Sequence, residues 1–157
     1  MRRLLGVLAV LGAVLVGGCG DDSTGGEADD EPRGEITHEL VEMVSETAVG
    51  GMVSPGAVAL VDVTAVQQFA AQFENDRMET RLLQSFDSIK VPEDKAAYAA
   101  VVAIGCEVPP DVTVTSTDTG ILVEAAKSGD DATDDPVECL APMTSVAIVL
   151  VEESVVG

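Results

Sequence analysis

Three thiols, one imidazole and a dense set of carboxylates are the side chains here best equipped for chemistry. The thiols are Cys19, Cys106 and Cys139, and the imidazole is His38. A thiol can serve as nucleophile, metal ligand or half of a disulfide, and its surroundings decide which. A redox pair normally places its cysteines close together, which Cys106 and Cys139 are not, and a metal shell around them would have only His38 to complete it. Nucleophilic catalysis needs a base within hydrogen-bond reach, most often His. His38 follows a polar stretch and is expected to be an exposed, solvated side chain in a mobile segment. No phosphate-binding loop, dinucleotide fingerprint or zinc-protease helix occurs. Ser54-Pro55-Gly56 lacks the flanking glycines and histidine partner of a nucleophile elbow. Carboxylate pairs are too numerous to single one out, and three Phe, one Tyr and no Trp leave little for a sugar-binding platform. The chain reads as a non-enzyme with no cofactor.

One acidic loop has the composition of a cation site. Gly129-Asp130-Asp131-Ala132-Thr133-Asp134-Asp135 offers carboxylates and backbone carbonyls, the oxygen donors that calcium takes. Asp130, Asp131, Asp134 and Asp135 are the candidate ligands. The EF-hand alternation ending in a glycine and a terminal Glu is missing, so an ordinary solvated loop is the expectation.

The first 19 residues carry location rather than mechanism. Arg2 and Arg3 form a basic head, Leu4 to Val16 runs apolar apart from Gly6 and Gly12, and Gly17-Gly18 precede Cys19. A basic head, a short apolar stretch and a small-residue cut site describe a secretory signal. A membrane-spanning helix would need about 20 apolar residues. Val16-Gly17-Gly18-Cys19 resembles the lipobox of bacterial lipoproteins. That resemblance implies a diacylglyceryl group on the Cys19 thiol, with palmitate-type chains, and cleavage between Gly18 and Cys19. It also implies a protein anchored through lipid to the extracytoplasmic face of a cell membrane. Two acyl chains hold a protein at a bilayer where one barely does.

Export changes the reading of the other two sulfurs. In an oxidising compartment an even pair of cysteines is most simply a disulfide. Cys106–Cys139 would close a loop of about 34 residues, for which chain-entropy arithmetic gives roughly 4 kcal/mol. The stretch Gly20 to Glu35 is rich in Asp, Glu and Gly and holds no large apolar residue, so it is expected to stay disordered. Its like charges extend it into a tether. The expected organisation is a signal peptide at 1–18, acylated Cys19 and tether at 19–35, and one domain at 36–157.

Charge narrows the partners. The full chain has 28 acidic and 8 basic residues, a formal charge of −20, and loss of Arg2 and Arg3 with the signal makes it more negative still. Nucleic acid phosphates would be repelled, and the charge argues against a polybasic membrane patch. Attachment to membrane is left to the lipid, and a protein partner in the cell envelope is open.

The elements that must position any surface alternate along the domain. Leu40 to Glu46 fits a strand, although Glu39 to Thr47 also tolerates a helix. Gly50, Gly51, Pro55 and Gly56 mark a loop, and the β-branched run Ala57 to Val63 suits a strand. Thr64-Ala65-Val66-Gln67 and Asp76-Arg77-Met78-Glu79 have capping-box spacing. Val66, Phe69, Ala70 and Phe73 would line one helix face, and Met78, Leu82 and Phe86 a second. Ala97 to Cys106 is almost continuously apolar, as in a central strand buried on both faces. Pro109 and Pro110 stop pairing. Val112 to Thr117 and Ile121 to Ala126 flank Asp118-Thr119-Gly120 as a hairpin, and Ser145 to Glu152 closes the chain as a strand. Two short helices with these strands predict an α+β domain on an antiparallel or mixed sheet.

The order of elements is similar to that of the PrcB C-terminal-like domain family. The likeness rests on a strand then helix over Val58 to Phe73 and an apolar strand ending in Gly over Tyr98 to Gly105. It continues through the hairpin Val112 to Val123 and the closing strand Thr144-Ser145-Val146-Ala147-Ile148-Val149. It implies an accessory, partner-stabilising module. The expectation is a non-catalytic envelope lipoprotein whose domain makes protein–protein contacts as an accessory or stabilising subunit. The alternative is a small-ligand or cation-binding module of an envelope transport or sensing system.

Overall fold

The computed structural model describes residues 34–127 and 140–156. Within them the elements run β1 (Gly34–Glu35), β2 (His38–Thr47), β3 (Val58–Ala59), α1 (Val63–Ala70), α2 (Asp76–Ser88), β4 (Lys95–Gly105), β5 (Val112–Thr117), β6 (Gly120–Ala125) and β7 (Met143–Glu152). A short 3₁₀ turn at Glu153–Val155 follows. The domain is α+β, as expected, and its strands form two antiparallel sheets.

The four-stranded sheet, in the order β2-β7-β4-β3, is the middle layer. β7 lies at its heart, and residues 144–151 are all buried. The continuous apolar run Val146–Val151 reflects that position, because both faces of the strand are covered. Val146, Ile148 and Leu150 join one core with Val66, Phe69, Met78 and Leu82 from the helices. Ala147, Val149 and Val151 join a second core with Val112, Val114, Ile121 and Val123 from the smaller sheet. That sheet, ordered β1-β5-β6, packs as the third layer. Alternation along β4 sorts its side chains in the same way. Ala97, Ala99 and Val101 face the helices, while Tyr98, Ala100 and Val102 face the hairpin.

The helix caps lie two residues (α1) and one residue (α2) before the positions that capping-box spacing gives. Asp62, not Thr64, is the N-cap of α1, and its carboxylate accepts from the Ala65 N–H at 2.8 Å. Asn75, not Asp76, caps α2 and accepts from the Arg77 and Met78 N–H groups, each at 3.0 Å. A short acceptor side chain in extended backbone satisfies first-turn N–H groups better than one already inside the helix. The early start of α1 also shortens the strand expected over 57–63 to Val58–Ala59. Val66, Phe69 and Ala70 are buried on α1 as the helical spacing requires, whereas Phe73 lies in the turn after the helix and is buried there, its ring edge to face with Phe69 at 5.7 Å. Met78 and Leu82 are buried, and half-buried Phe86 packs against the same core.

The 39–47 stretch is a strand, and it settles the ambiguity by pairing with β7 over its whole length. A bulge between Leu40 and Glu42 lets Leu40 and Met43 reach the same core. Gly34 and Glu35, the last residues of the expected tether, pair with Ser116 and Thr115 as β1. The hairpin β5–β6 turns through Asp118-Thr119, with Thr117 opposite Gly120. Gly120 has φ of 144°, a conformation that favours glycine.

Candidate functional site: one open sheet edge

The residues singled out for chemistry are not brought together as a reaction centre among the described residues. Cys19 and its cleavage partner Gly18 lie outside those residues, as do Cys139, Asp130, Asp131, Asp134 and Asp135. Cys106 is half-buried just past the end of β4. Its pairing with Cys139 remains a proposal. His38 is not in a loose segment: it opens β2 opposite Val151, is half-buried, and its Nδ1–H donates to the Ile36 carbonyl at 3.3 Å. Among the described residues no three His, Cys, Asp or Glu side chains converge as a metal site. None of their helices is long and apolar enough to cross a membrane. Every buried side-chain nitrogen or oxygen among them has a hydrogen-bond partner.

With no reaction centre in view, the two edges of the middle sheet become informative, because an edge strand exposes a row of backbone donors and acceptors. The β2 edge is protected. Just past β2, the Ala48 N–H bonds to the Pro142 carbonyl. Antiparallel alternation then turns the even residues Glu42–Glu46 toward β7 and the odd ones, Ser45 included, outward. The outward carbonyl of Ser45 is taken by Arg81 Nη1 of α2 at 2.7 Å. The same guanidinium bonds to Glu46 at 3.1 Å, and Arg77 lies 3.8 Å from that carboxylate. Glu39, Glu42 and Glu46 put charge along the strand, and the bulge twists it. Charges and bulges are devices that discourage strand addition.

The β4 edge is different. The Leu60 N–H bonds to the Ala97 carbonyl at 2.8 Å, and Val58 and Ala59 pair with Ala99 and Tyr98. There β3 ends. Beyond Ala99 no described strand pairs with the outer side of β4, and Ala100-Val101-Val102-Ala103-Ile104-Gly105 contains no charged residue. The expectation that 97–106 is buried on both faces therefore holds only in part, since Ile104 is 59% exposed.

Beside this edge runs an apolar groove of about 360 Å³ lined by Val53, Pro55 and Val101 to Ile104. Its far wall belongs to the loop after β2. Ala48, Gly50, Gly51 and Gly56 all adopt positive φ in that loop, and a Cβ on Gly51 would fall 2.0 Å from the Gln72 carbonyl oxygen. Gln72 also accepts from the Ser54 N–H through Oε1 at 3.0 Å. The loop is thereby clamped to the end of α1 while Met52 stands 90% exposed at its tip. A second hollow, about 270 Å³, lies between Leu60, Val61, Phe86, Val91 and Lys95. It falls below the roughly 300–1,000 Å³ of small-molecule sites, and Lys95 is already paired with Glu39 at 3.0 Å.

In the sequence the glycines and Pro55 read as loop punctuation and 97–106 as a strand buried on both faces. The signal available for the edge was the closeness of Pro55-Gly56 to the Asp62 cap, which leaves too few residues for a full partner strand. No protein family, curated protein or solved structure matches this chain.

Proposed function

We propose that the chain is a lipid-anchored, extracytoplasmic protein whose domain binds another protein of the cell envelope as an accessory or stabilising subunit. Location rests on the leader: the basic head, the apolar stretch and the lipobox-like Val16-Gly17-Gly18-Cys19 favour acylation of Cys19 and removal of residues 1–18. In that setting Cys106 pairs with Cys139 and ties the end of β4 to the approach to β7. The accessory role also follows from the resemblance to the PrcB C-terminal-like domain.

The observation that carries a binding role over a catalytic one is the contrast between the two sheet edges. One is capped by Arg81 and lined with glutamates, while the other presents uncharged backbone beside an apolar groove. Exposed apolar surface of this kind marks interaction sites. Intact-mass analysis of the protein purified from its own membranes tests the anchor, the cleavage and the disulfide together. Crosslinking in those membranes tests the partner. A full-length, unacylated chain recovered from cytosol with reduced thiols would overturn the reading.

A further inference from the structure

The identity of the surface allows one more step, which rests on the protein-contact reading above. We propose that the outer edge of β4, from Ala100 to Gly105, accepts an extended segment of its protein partner as an added strand, apolar at alternate positions and flanked by basic residues. Strand addition draws affinity from main-chain hydrogen bonds and specificity from hollows that take every second side chain. The edge offers the first where β3 stops. The groove between Val53, Pro55 and Val101–Ile104 offers the second.

The chemistry of the occupant follows from the lining of the groove and from the carboxylates on its loop side and just past β4. Its floor and walls are uncharged, so the central part of the segment must be apolar where it faces them. Exposed Glu107 lies two residues past Gly105, and Glu74 lies against Gly50, where a Cβ would sit 3.3 Å from its Oε2. Carboxylates therefore stand on both the loop side and the β4 end, on a chain whose formal charge is −20. Basic flanks complement that field. A second copy of the chain would bring the same charge to the contact and be repelled. Among the described residues a Cβ built at Gly105 meets nothing within 4 Å.

The test uses the full acylated protein in detergent and a short synthetic peptide of alternating valine and threonine with two lysines at each end. The expected result is binding that weakens when glutamates replace the lysines and is lost when alternate peptide nitrogens are methylated. Exchange of the amide hydrogens along Ala100–Gly105 should slow in the complex. Ile104→Lys, at an exposed position that folding tolerates, should weaken binding about tenfold or more, while Val63→Lys on α1 should leave it unchanged. Failure of the lysine peptide to bind, or equal binding by Ile104→Lys, overturns the proposal. So does a dimer in sedimentation that Ile104→Lys dissolves, which would give the edge to a second copy. A crosslinked envelope partner retained by Ile104→Lys rejects the edge while the protein-contact reading stands. Absence of any crosslinked partner rejects that reading and the edge with it.

Discussion

Arg81 Nη1 meets the backbone carbonyl of Ser45 at 2.7 Å, joining the middle of α2 to the outer edge of β2. A helix side chain thus occupies a hydrogen-bonding site that a neighbouring strand would otherwise take. The contact hinders addition of a further strand to β2, which is ten residues long and at the border of its sheet. The opposite border has no such cover among the described residues, so the two borders differ in what they expose.

Replacing Arg81 with Ala should therefore have two effects. Loss of a charge-assisted hydrogen bond on a partly exposed group should cost about 1 kcal/mol in urea unfolding. The uncovered Ser45 carbonyl should also raise self-association, read by sedimentation at high protein concentration. Arg81→Lys keeps the charge but not the fork, and should recover only part of the loss. Unchanged stability and association in Arg81→Ala would show that the edge is held back by its glutamates alone.

Ser45 and Ser145 meet hydroxyl to hydroxyl at 3.0 Å between β2 and β7, and Ser145 is fully buried. Removing one hydroxyl strands the other, so Ser145→Ala should destabilise by about 1–2 kcal/mol. The double replacement of Ser45 and Ser145 by Ala should cost less than the two single changes added together. A thermodynamic cycle of unfolding measurements checks this, and strict additivity would mean the pair contributes nothing as a pair.

Helix starts supply a sharper comparison. Asp62→Ala and Asn75→Ala should each cost about 1 kcal/mol by leaving first-turn N–H groups unsatisfied. Thr64→Ala, inside α1, should change stability little. Thermal unfolding of the three variants distinguishes them, and a large loss confined to Thr64→Ala would contradict the cap geometry.

These caps show where legibility stopped. The spacing of Val66, Phe69 and Ala70, and of Met78 and Leu82, marks two helices and the faces they bury, because a 3.6-residue period leaves a direct trace, although it carried the first helix on to Phe73, past its end at Ala70. The hairpin was readable from Asp118-Thr119-Gly120. Cap residues were misplaced because Asp62 and Thr64 both carry suitable oxygens, and only the backbone conformation at each chooses between them. The partition of strands into two sheets was hidden for a different reason. Val146–Val151 looks the same in sequence whether one or two layers cover it, and strand order depends on contacts far apart in the chain. The open edge was hidden by the same cause. An apolar residue such as Ile104 reads as interior until the strand beside it is known to end.

The loop that walls the groove should be intolerant of side chains at one point. Gly51 has φ of 87°, and a Cβ there would sit 2.0 Å from the Gln72 carbonyl oxygen. Gly51→Ala must displace the loop from α1 and should destabilise by more than about 2 kcal/mol. Gly105→Ala, with ordinary backbone and open space, should stay within about 0.5 kcal/mol of the parent. Equal unfolding midpoints for the two would show that the loop moves freely.

Tyr98 is the only tyrosine in a chain without tryptophan, so its ionisation can be followed by tyrosinate absorbance without interference. Burial among the residues of the hairpin-side core, aided by the negative charge of Glu153, holds its phenol above the usual tyrosine range. The folded state therefore keeps the proton where the unfolded chain, with a pKa near about 10, gives it up. Protons bound exceed those of the unfolded state in that interval, so stability falls as pH rises past about 10 and is undiminished by this group below it. Tyr98→Phe should flatten that part of the alkaline limb in unfolding measurements. An absorbance titration centred at or below the value for free tyrosine would place the ring in water and contradict its packing against β7.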